Sequence, residues 1–413
     1  ILSGLVGSEM CIRDSVQAVV TIALLPITLY WFYQVSMVSP IANAVAIPLV
    51  SYVVTPLVIM GAFMPDFIGS WLLFLAHLTM QYLAGLLEWF SSLSWAVVWS
   101  RQPDWWLLFL ASAGIVYAIR PGDLRSSYLL RFICLLPILG LFLPTFNLVD
   151  KNVKPGEFRV TVLDIGQGTA VLVETTSKKL LYDTGPIQGK RDDAGQRTIL
   201  PYLRGRGIEQ IDRMVISHSD SDHVGGALSL LKHISFGSMM GSLPANNSVL
   251  LTLRTRKIPS IPCRYGQYWV WDGVEFLIWH PQEDTLFQDQ YAMRPNEMSC
   301  VLEVRNKQFS FWLTGDVEKQ GEADIARRLD QIALSTLGDR ELIFMAPHHG
   351  SKTSSSMDLL TTLNPNIAFA QNGYRNRYGH PHSIVTKRYE NLGIPFYQTP
   401  KTGAQIWLFK RGE

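Results

Sequence analysis

Ser217-His218-Ser219-Asp220-Ser221-Asp222-His223-Val224-Gly225-Gly226 sets two imidazoles and two carboxylates within six positions. It follows Arg213-Met214-Val215-Ile216, which reads as a buried strand. Folding alone gives no reason to gather four such groups at one strand end. Buried charge of one sign costs several kcal/mol per ion unless something positive neutralises it. A pair of divalent metal ions does so, and it also turns bound water into a nucleophile at neutral pH. The stretch therefore predicts a metal-dependent hydrolase over at least part of the chain.

Outward from this point the 413 residues fall into two unlike halves. Between Val16 and Ser100 the only charged residues are Asp66 and Glu88. From Lys151 to Glu413 the chain carries 31 of its 36 basic and 27 of its 34 acidic residues, an ordinary soluble balance with a slight positive excess. A membrane region over 16–150 followed by a soluble domain over 151–413 is the expected organisation. Residues 1–15 are set aside, because Glu9-Met10-Cys11-Ile12-Arg13-Asp14-Ser15 reads as a translated sequencing adaptor. With no initiating Met, the chain reads as a fragment of something longer.

Apolar runs at Val16–Gln34, Val38–Met64, Ile68–Phe90, Trp105–Ile119 and Tyr128–Val149 predict about five spans. Most reach the roughly 20 residues that cross hydrocarbon as helix; Trp105–Ile119 is short enough to be re-entrant. Pro26, Pro40, Pro48, Pro56 and Pro137 interrupt them, which is tolerable where protein or water covers the freed backbone groups. Gln34, Asn43 and His77 fit helix-to-helix hydrogen bonding better than a transport path. Arg120, Arg125 and Arg131 flank the start of the last span, so that loop is expected on the cytoplasmic side. One more crossing puts the soluble half outside, although Lys151 and Lys154 pull mildly the other way. There, Cys263 and Cys300 are free to pair; two unpaired buried thiols are the alternative.

From Phe158 the pattern changes to short β-rich runs broken by Gly and Asp. Arg159–Leu163, Ala170–Val173 and Lys179–Tyr182 read as successive strands, with a helix near Ile199–Arg206 before the strand that delivers His218. Strands are expected at Val274–Trp279, Cys300–Val304, Phe309–Leu313 and Leu342–Met345, and helices near Glu318–Leu329, Ser355–Leu363 and Ile384–Leu392. Ligands at strand ends in mixed strands and helices suit layered α/β packing.

Five motifs follow one another: Leu163-Asp164-Ile165-Gly166-Gln167-Gly168, Tyr182-Asp183-Thr184-Gly185, His218-x-Asp220-x-Asp222-His223, Leu313-Thr314-Gly315-Asp316 and Pro347-His348-His349-Gly350-Ser351. In this order they resemble the metallo-β-lactamase superfamily, and in wording the C-terminal domain of ComEC-type DNA-internalisation proteins. Leu25-Pro26, Val35-Ser36-x-x-Ser39-Pro40-x-x-Asn43 and Ile47-Pro48 resemble that family's competence region. The resemblance covers nearly everything from Val16 onward. It implies a polytopic α-helical membrane region followed by an αββα sandwich carrying two divalent metals on its edge.

By matched position the resemblance implies that His218 and Asp220 hold one metal and Asp222 and His223 the other, with Asp316 bridging. Asp220 stands where the superfamily commonly has His, and this harder oxygen ligand makes Mn²⁺ credible beside Zn²⁺. Asn296 occupies the region of a third-motif His, an open position that suits catalysis. His348 and His349 are consecutive and, on an extended chain, point to opposite sides. One is expected to be a ligand, and Asp222, Asp316 and His349 are the expected catalytic set.

Asp164 and Asp183 each end a strand, where a carboxylate either caps a turn or hydrogen-bonds a ligand histidine. His280 and His233 read as structural. His380-Pro381-His382 sits in a loop with Arg375 and Arg377; it is an ordinary surface loop or a basic, aromatic track for a phosphate backbone. The expected function is DNA uptake across the bacterial inner membrane, one strand of incoming duplex being hydrolysed while the other passes through. Membrane lipid and other competence proteins are its expected partners. The alternatives are a membrane-anchored hydrolase of another ester or lactone, and a non-catalytic DNA-binding conduit.

Overall fold

A computed structural model describes residues 19–93, 95–119, 128–141, 153–189, 192–282, 295–331 and 340–410. The chain divides into two compact units, one of Ile1–Leu148 with Arg204–Gly207 and the other of Val149–Leu203 with Ile208–Glu413. The adaptor-like start, the Arg120/Arg125 loop and the segment joining the units lie outside the described residues.

Among the described residues the first unit's only strands are one short antiparallel pair, β1 (Gln34–Ser36) with β2 (Val97–Trp99), and the rest of its regular structure is helical. Ser36 Oγ accepts the Ser39 N–H and starts the next helix, whose backbone runs Ser39–Leu49, through a π turn at Val50–Val54, into Thr55–Phe63. Pro48 and Pro56 bracket that π turn. Each removes an N–H from the ladder, and a wider turn is one way a helix absorbs such a loss without breaking. Asp66–Ser92 follows as a 27-residue helix whose buried residues are only Gly69, Ala76 and Leu83. A Cβ at Gly69 would stand 2.5 Å from the Gly61 carbonyl oxygen, so a glycine is needed where these two helices meet.

Among the described residues two helices, Ser39–Phe63 and Asp66–Ser92, are long and apolar enough to cross a membrane, against about five expected spans. Trp105–Ile119 is helical but at 15 residues rises only about 22 Å, short of the hydrocarbon thickness. The last expected span is a helix over Tyr128–Gly140, and its continuation falls outside the described residues.

The second unit is built on strands β3 (Phe158–Val162), β4 (Val171–Glu174), β5 (Lys179–Tyr182), β6 (Gln210–Ile216), β7 (Ser235–Gly241), β8 (Ser260–Pro262), β9 (Tyr268–Trp271) and β10 (Val274–His280). They continue as β11 (Val301–Arg305), β12 (Phe309–Leu313), β13 (Glu341–Met345), β14 (Ile367–Ala370), β15 (Phe396–Gln398) and β16 (Gln405–Phe409). Two seven-stranded sheets result, ordered β16-β3-β4-β5-β6-β7-β8 and β15-β14-β13-β12-β11-β10-β9.

The strands carry apolar side chains on both faces, and alternation sorts them. Val171, Val173, Leu180, Tyr182 and Val215 of the first sheet pack with Phe311, Leu313, Ile343 and Met345 of the second in one core between the sheets. Their neighbours Leu172, Leu181, Met214 and Ile216 turn outward onto Leu203, Leu230 and Leu253. Trp312 and Phe344 likewise turn outward onto Ile325, Leu360 and Tyr389. This gives four layers, helix, sheet, sheet, helix: the αββα arrangement that the motifs imply.

Cys263, just after β8, is disulfide-bonded to Cys300, just before β11. Both are fully buried in the inter-sheet core, so the bond ties one sheet to the other.

Candidate metal centre

Four strand ends build the centre. Parallel pairing of β5 with β6 brings Asp183 beside Ser217-His218, and parallel pairing of β12 with β13 brings Asp316 near Pro347–Gly350. Each chain leaves its strand on small residues that permit close approach. Gly315 has φ +54°, and a Cβ there would lie 2.8 Å from Ser217 Cβ. Gly168 has φ +132°, and its Cβ would lie within 2.4 Å of the Asp222 carbonyl oxygen.

One ligating atom from each of Asp222, His223, Asp316 and His349 lies within 4.8 Å of all the others. His223 Nε2 is 3.0 Å from Asp316 Oδ1, yet neither atom makes an aligned hydrogen bond. His218 Nε2 is also buried without a hydrogen-bond partner, 3.6 Å from Asp220 Oδ2. Buried polar atoms are ordinarily paired, and each orphan forfeits its solvation. Three such atoms, all of types that ligate metals, fit a divalent cation held by these side chains.

The ionisation of the group has the same logic. Burial alone would raise Asp222, but the hydrogen bond from His349 and the charge of His223 hold it down at about 2. Burial opposes the protonation of His223, yet Asp316 and Asp183 raise it well above the ordinary range. Asp316, buried as well, is held well below the carboxylate range by His223 and His349. His349 is raised against its burial by Asp316 and Asp222. The carboxylates thus favour protons on the imidazoles, and a divalent ion would take the place of those protons.

Asp183 serves His223 of this cluster. It is fully buried, its Oδ1 accepts the Ser217 N–H at 2.7 Å, and its Oδ2 accepts Ser217 Oγ at 2.7 Å and pairs with His223 Nδ1 at 2.7 Å. That fixes the ring and leaves Nε2 for the centre. Asp164 has no such place: it is exposed, and its carboxylate accepts a long, 3.4 Å bond from the Gly166 N–H, so it caps the turn.

His348 and His349 do not lie on extended chain, contrary to the expectation. Both have left-handed backbone, φ +51° and +54°, in a tight turn over Pro347–Gly350. Such conformations cost about 1–3 kcal/mol each and are kept where surrounding bonds impose them; here the His348 N–H donates to Gly315 O at 3.1 Å and the Ser351 N–H to His348 O at 2.8 Å. The two side chains still part company. His349 Nδ1 donates to Gln371 O at 2.7 Å and turns Nε2 to Asp222 and Asp316, at 3.3 and 3.7 Å. His348 Nδ1 faces Glu318 Oε1 at 3.2 Å, with its Nε2 3.7 Å from Asp316 Oδ2.

Asn296 lies beside the same glutamate, its Nδ2 3.4 Å from Glu318 Oε1, while its Oδ1 is buried and unbonded. His380 stands against both consecutive histidines, ring centroids 5.6 and 6.5 Å away. Burial and the charges of those histidines push it down to about 4, so it is neutral at physiological pH. His280 is buried with Nε2 on Glu297 O at 2.8 Å, away from the centre.

Sequence reading missed Ser299, whose Oγ accepts the Asp316 N–H at 3.1 Å and lies 3.5 Å from His218 Nδ1. It missed Glu318 and Gln371 as well. Only Glu318 carried a signal, an acidic residue two positions after Asp316.

Residues 3–123 match the family model described as Competence protein, and residues 163–263 match that of the Metallo-beta-lactamase superfamily. The chain is 32% identical over 387 residues to "Competence protein ComA" of Neisseria gonorrhoeae, covering 93% of this chain and 50% of that one. It is 26% identical over 423 residues to "ComE operon protein 3" of Bacillus subtilis, covering 96% and 51%. Thus the chain spans about half the length of the curated relatives it matches. Among solved structures it aligns with the metallo-beta-lactamase fold protein YhfI from Bacillus subtilis, at TM-score 0.39 and 11% identity, over 61% of this chain and 99% of that one.

Proposed function

We propose for this chain, whose two parts match a competence-protein model and a metallo-β-lactamase-superfamily model, metal-dependent hydrolysis of one strand of DNA during uptake through the bacterial inner membrane. The observation that carries the reading is the convergence of Asp222, His223, Asp316 and His349 within 4.8 Å, lined by buried orphan atoms. Asp222, His223 and His349 would hold one divalent ion, Zn²⁺ or Mn²⁺. His218 and Asp220 would hold a second, with Asp316 shared between them. When bound, such a pair supplies a hydroxide nucleophile at neutral pH and stabilises developing charge on phosphoryl oxygens.

The chain's own residues do the rest. Asp183 fixes the His223 tautomer, and the Gln371 carbonyl fixes that of His349. Ser299 holds the Asp316 backbone. Glu318 Oε1, 3.2 Å from His348 Nδ1, steadies that ring, whose Nε2 lies 3.7 Å from Asp316 Oδ2. No serine nucleophile is needed: the Ser217 hydroxyl is committed to Asp183.

Exposed Phe63, Phe67 and Tyr82 on the two long helices suit lipid contact, since water does not tolerate such a surface. We read this unit as the multi-pass membrane part of a DNA conduit. The disulfide favours an oxidising compartment for the hydrolase, outside the cytoplasmic membrane.

The test is strand cleavage by the full chain in detergent on linear DNA, with and without Mn²⁺ or Zn²⁺. Asp222→Ala is expected to lower cleavage by at least about a hundredfold while circular dichroism stays unchanged. Full cleavage by that variant with metal present would refute the assignment. Cleavage only of a carboxylic ester or lactone would point to the alternative hydrolase.

A further inference from the structure

We propose that the loop Tyr374-Arg375-Asn376-Arg377-Tyr378 is a cradle for a single nucleic-acid strand, its two tyrosines stacking bases and its two arginines holding the phosphates between them. The inference deepens the hydrolase reading above by naming how its substrate is gripped.

Tyr374 and Tyr378 are 72% and 52% exposed and belong to none of the packed clusters, so both rings are accessible to a ligand. The Arg375 guanidinium lies 5.2 Å from the Tyr374 ring centre, and that of Arg377 lies 4.8 Å from that of Tyr378. Each ring thus has one cation beside it. No acidic residue occurs from Gln371 to His382, so the segment presents positive charge only. Interleaved aromatic and basic side chains are what a flexible strand needs. Every base has a face to stack, and every linkage has a phosphate to neutralise.

The loop is also held in shape. Asn376 Nδ2 donates to Gly373 O at 3.0 Å and to His380 O at 2.6 Å, while its Oδ1 accepts the His380 N–H at 3.0 Å. The Gly373 N–H donates to Gln167 Oε1 at 3.0 Å, tying the loop to the first turn of the domain. Arg375 keeps a left-handed backbone, φ +49°. Such bracing lowers the ordering cost on binding.

A line of rings then joins cradle and centre. Tyr378 stacks on His380 at 5.7 Å, and His380 meets His348 at 5.6 Å. A strand lying on the tyrosines is led to the side chains that would cut it. Duplex DNA hides its base faces and offers the tyrosines nothing to stack on.

The experiment measures anisotropy of a fluorescent oligothymidylate bound by the full chain in detergent, with EDTA present so that nothing is cut. Tyr374→Ala/Tyr378→Ala is expected to weaken binding about tenfold or more. Tyr374→Phe/Tyr378→Phe, which keeps both rings, should bind within about twofold of the parent. Arg375→Ala/Arg377→Ala should weaken binding and flatten its salt dependence. A fully paired duplex of the same length should bind the parent more weakly. The proposal is overturned if the alanine pair binds as the parent does, if the phenylalanine pair is as weak as the alanine pair, or if duplex binds equally well. Binding is read without cleavage, so inactivity on DNA would remove the hydrolase reading and leave this result standing.

Discussion

At Asp164 and Asp183 the same residue type, each ending a strand, has taken opposite roles, and only burial separates them. Asp183 is fully buried against His223, whereas Asp164 faces solvent. Asp183→Asn keeps the shape but loses the charge that holds the ring. Metal affinity is expected to fall about 10–100-fold, as titration calorimetry would measure. His223 and His349, both raised by the neighbouring carboxylates, keep their protons to higher pH than a free imidazole does. An incoming ion must displace them, so affinity should climb as pH rises and binding should release protons. Calorimetry in buffers of different ionisation enthalpy reads that release directly. Equal heats in all buffers would contradict it. The clustered residues were legible because their neighbours in sequence are their neighbours in space. Ser299 reaches His218 across 81 positions, and Gln371 works through a backbone carbonyl, which no side chain announces.

Among elements, strands carrying apolar groups on both faces were legible, and Lys179–Tyr182 and Phe309–Leu313 end where the pattern says. Ser235–Gly241 was not, because serines and glycines make it strand only through parallel pairing with Gln210–Ile216. The strands at Ile367–Ala370, Phe396–Gln398 and Gln405–Phe409 were missed for similar reasons of brevity and context. The turn ending in Gly168 shows what an element's end can demand. Gly168→Ala would drive a methyl into the Asp222 carbonyl and force an L side chain to adopt φ +132°. The expected cost is about 1–3 kcal/mol, together with weaker metal binding, read by urea unfolding and calorimetry. Unchanged stability would mean the turn relaxes freely.

Taken whole, the domain joins sheets that sequence order keeps apart. The Cys263–Cys300 bond closes a separation of 37 residues between them. Replacing both cysteines with alanine should lower stability by about 2–4 kcal/mol, seen as an earlier urea midpoint. The parent should shift in the same way when a reductant is added, and the double variant should not. The last described strand, Gln405–Phe409, pairs with the first of its domain, Phe158–Val162, and covers what would otherwise be a bare sheet edge. Ribosomes deliver these partners about 250 residues apart, at opposite ends of the domain's synthesis. Until the late strand emerges, the early one offers its unsatisfied amides to any passing chain. Maturation therefore has a clock: a newborn domain needs shielding for nearly the whole of its translation, and chaperone capture should be strongest on chains stalled just short of residue 405.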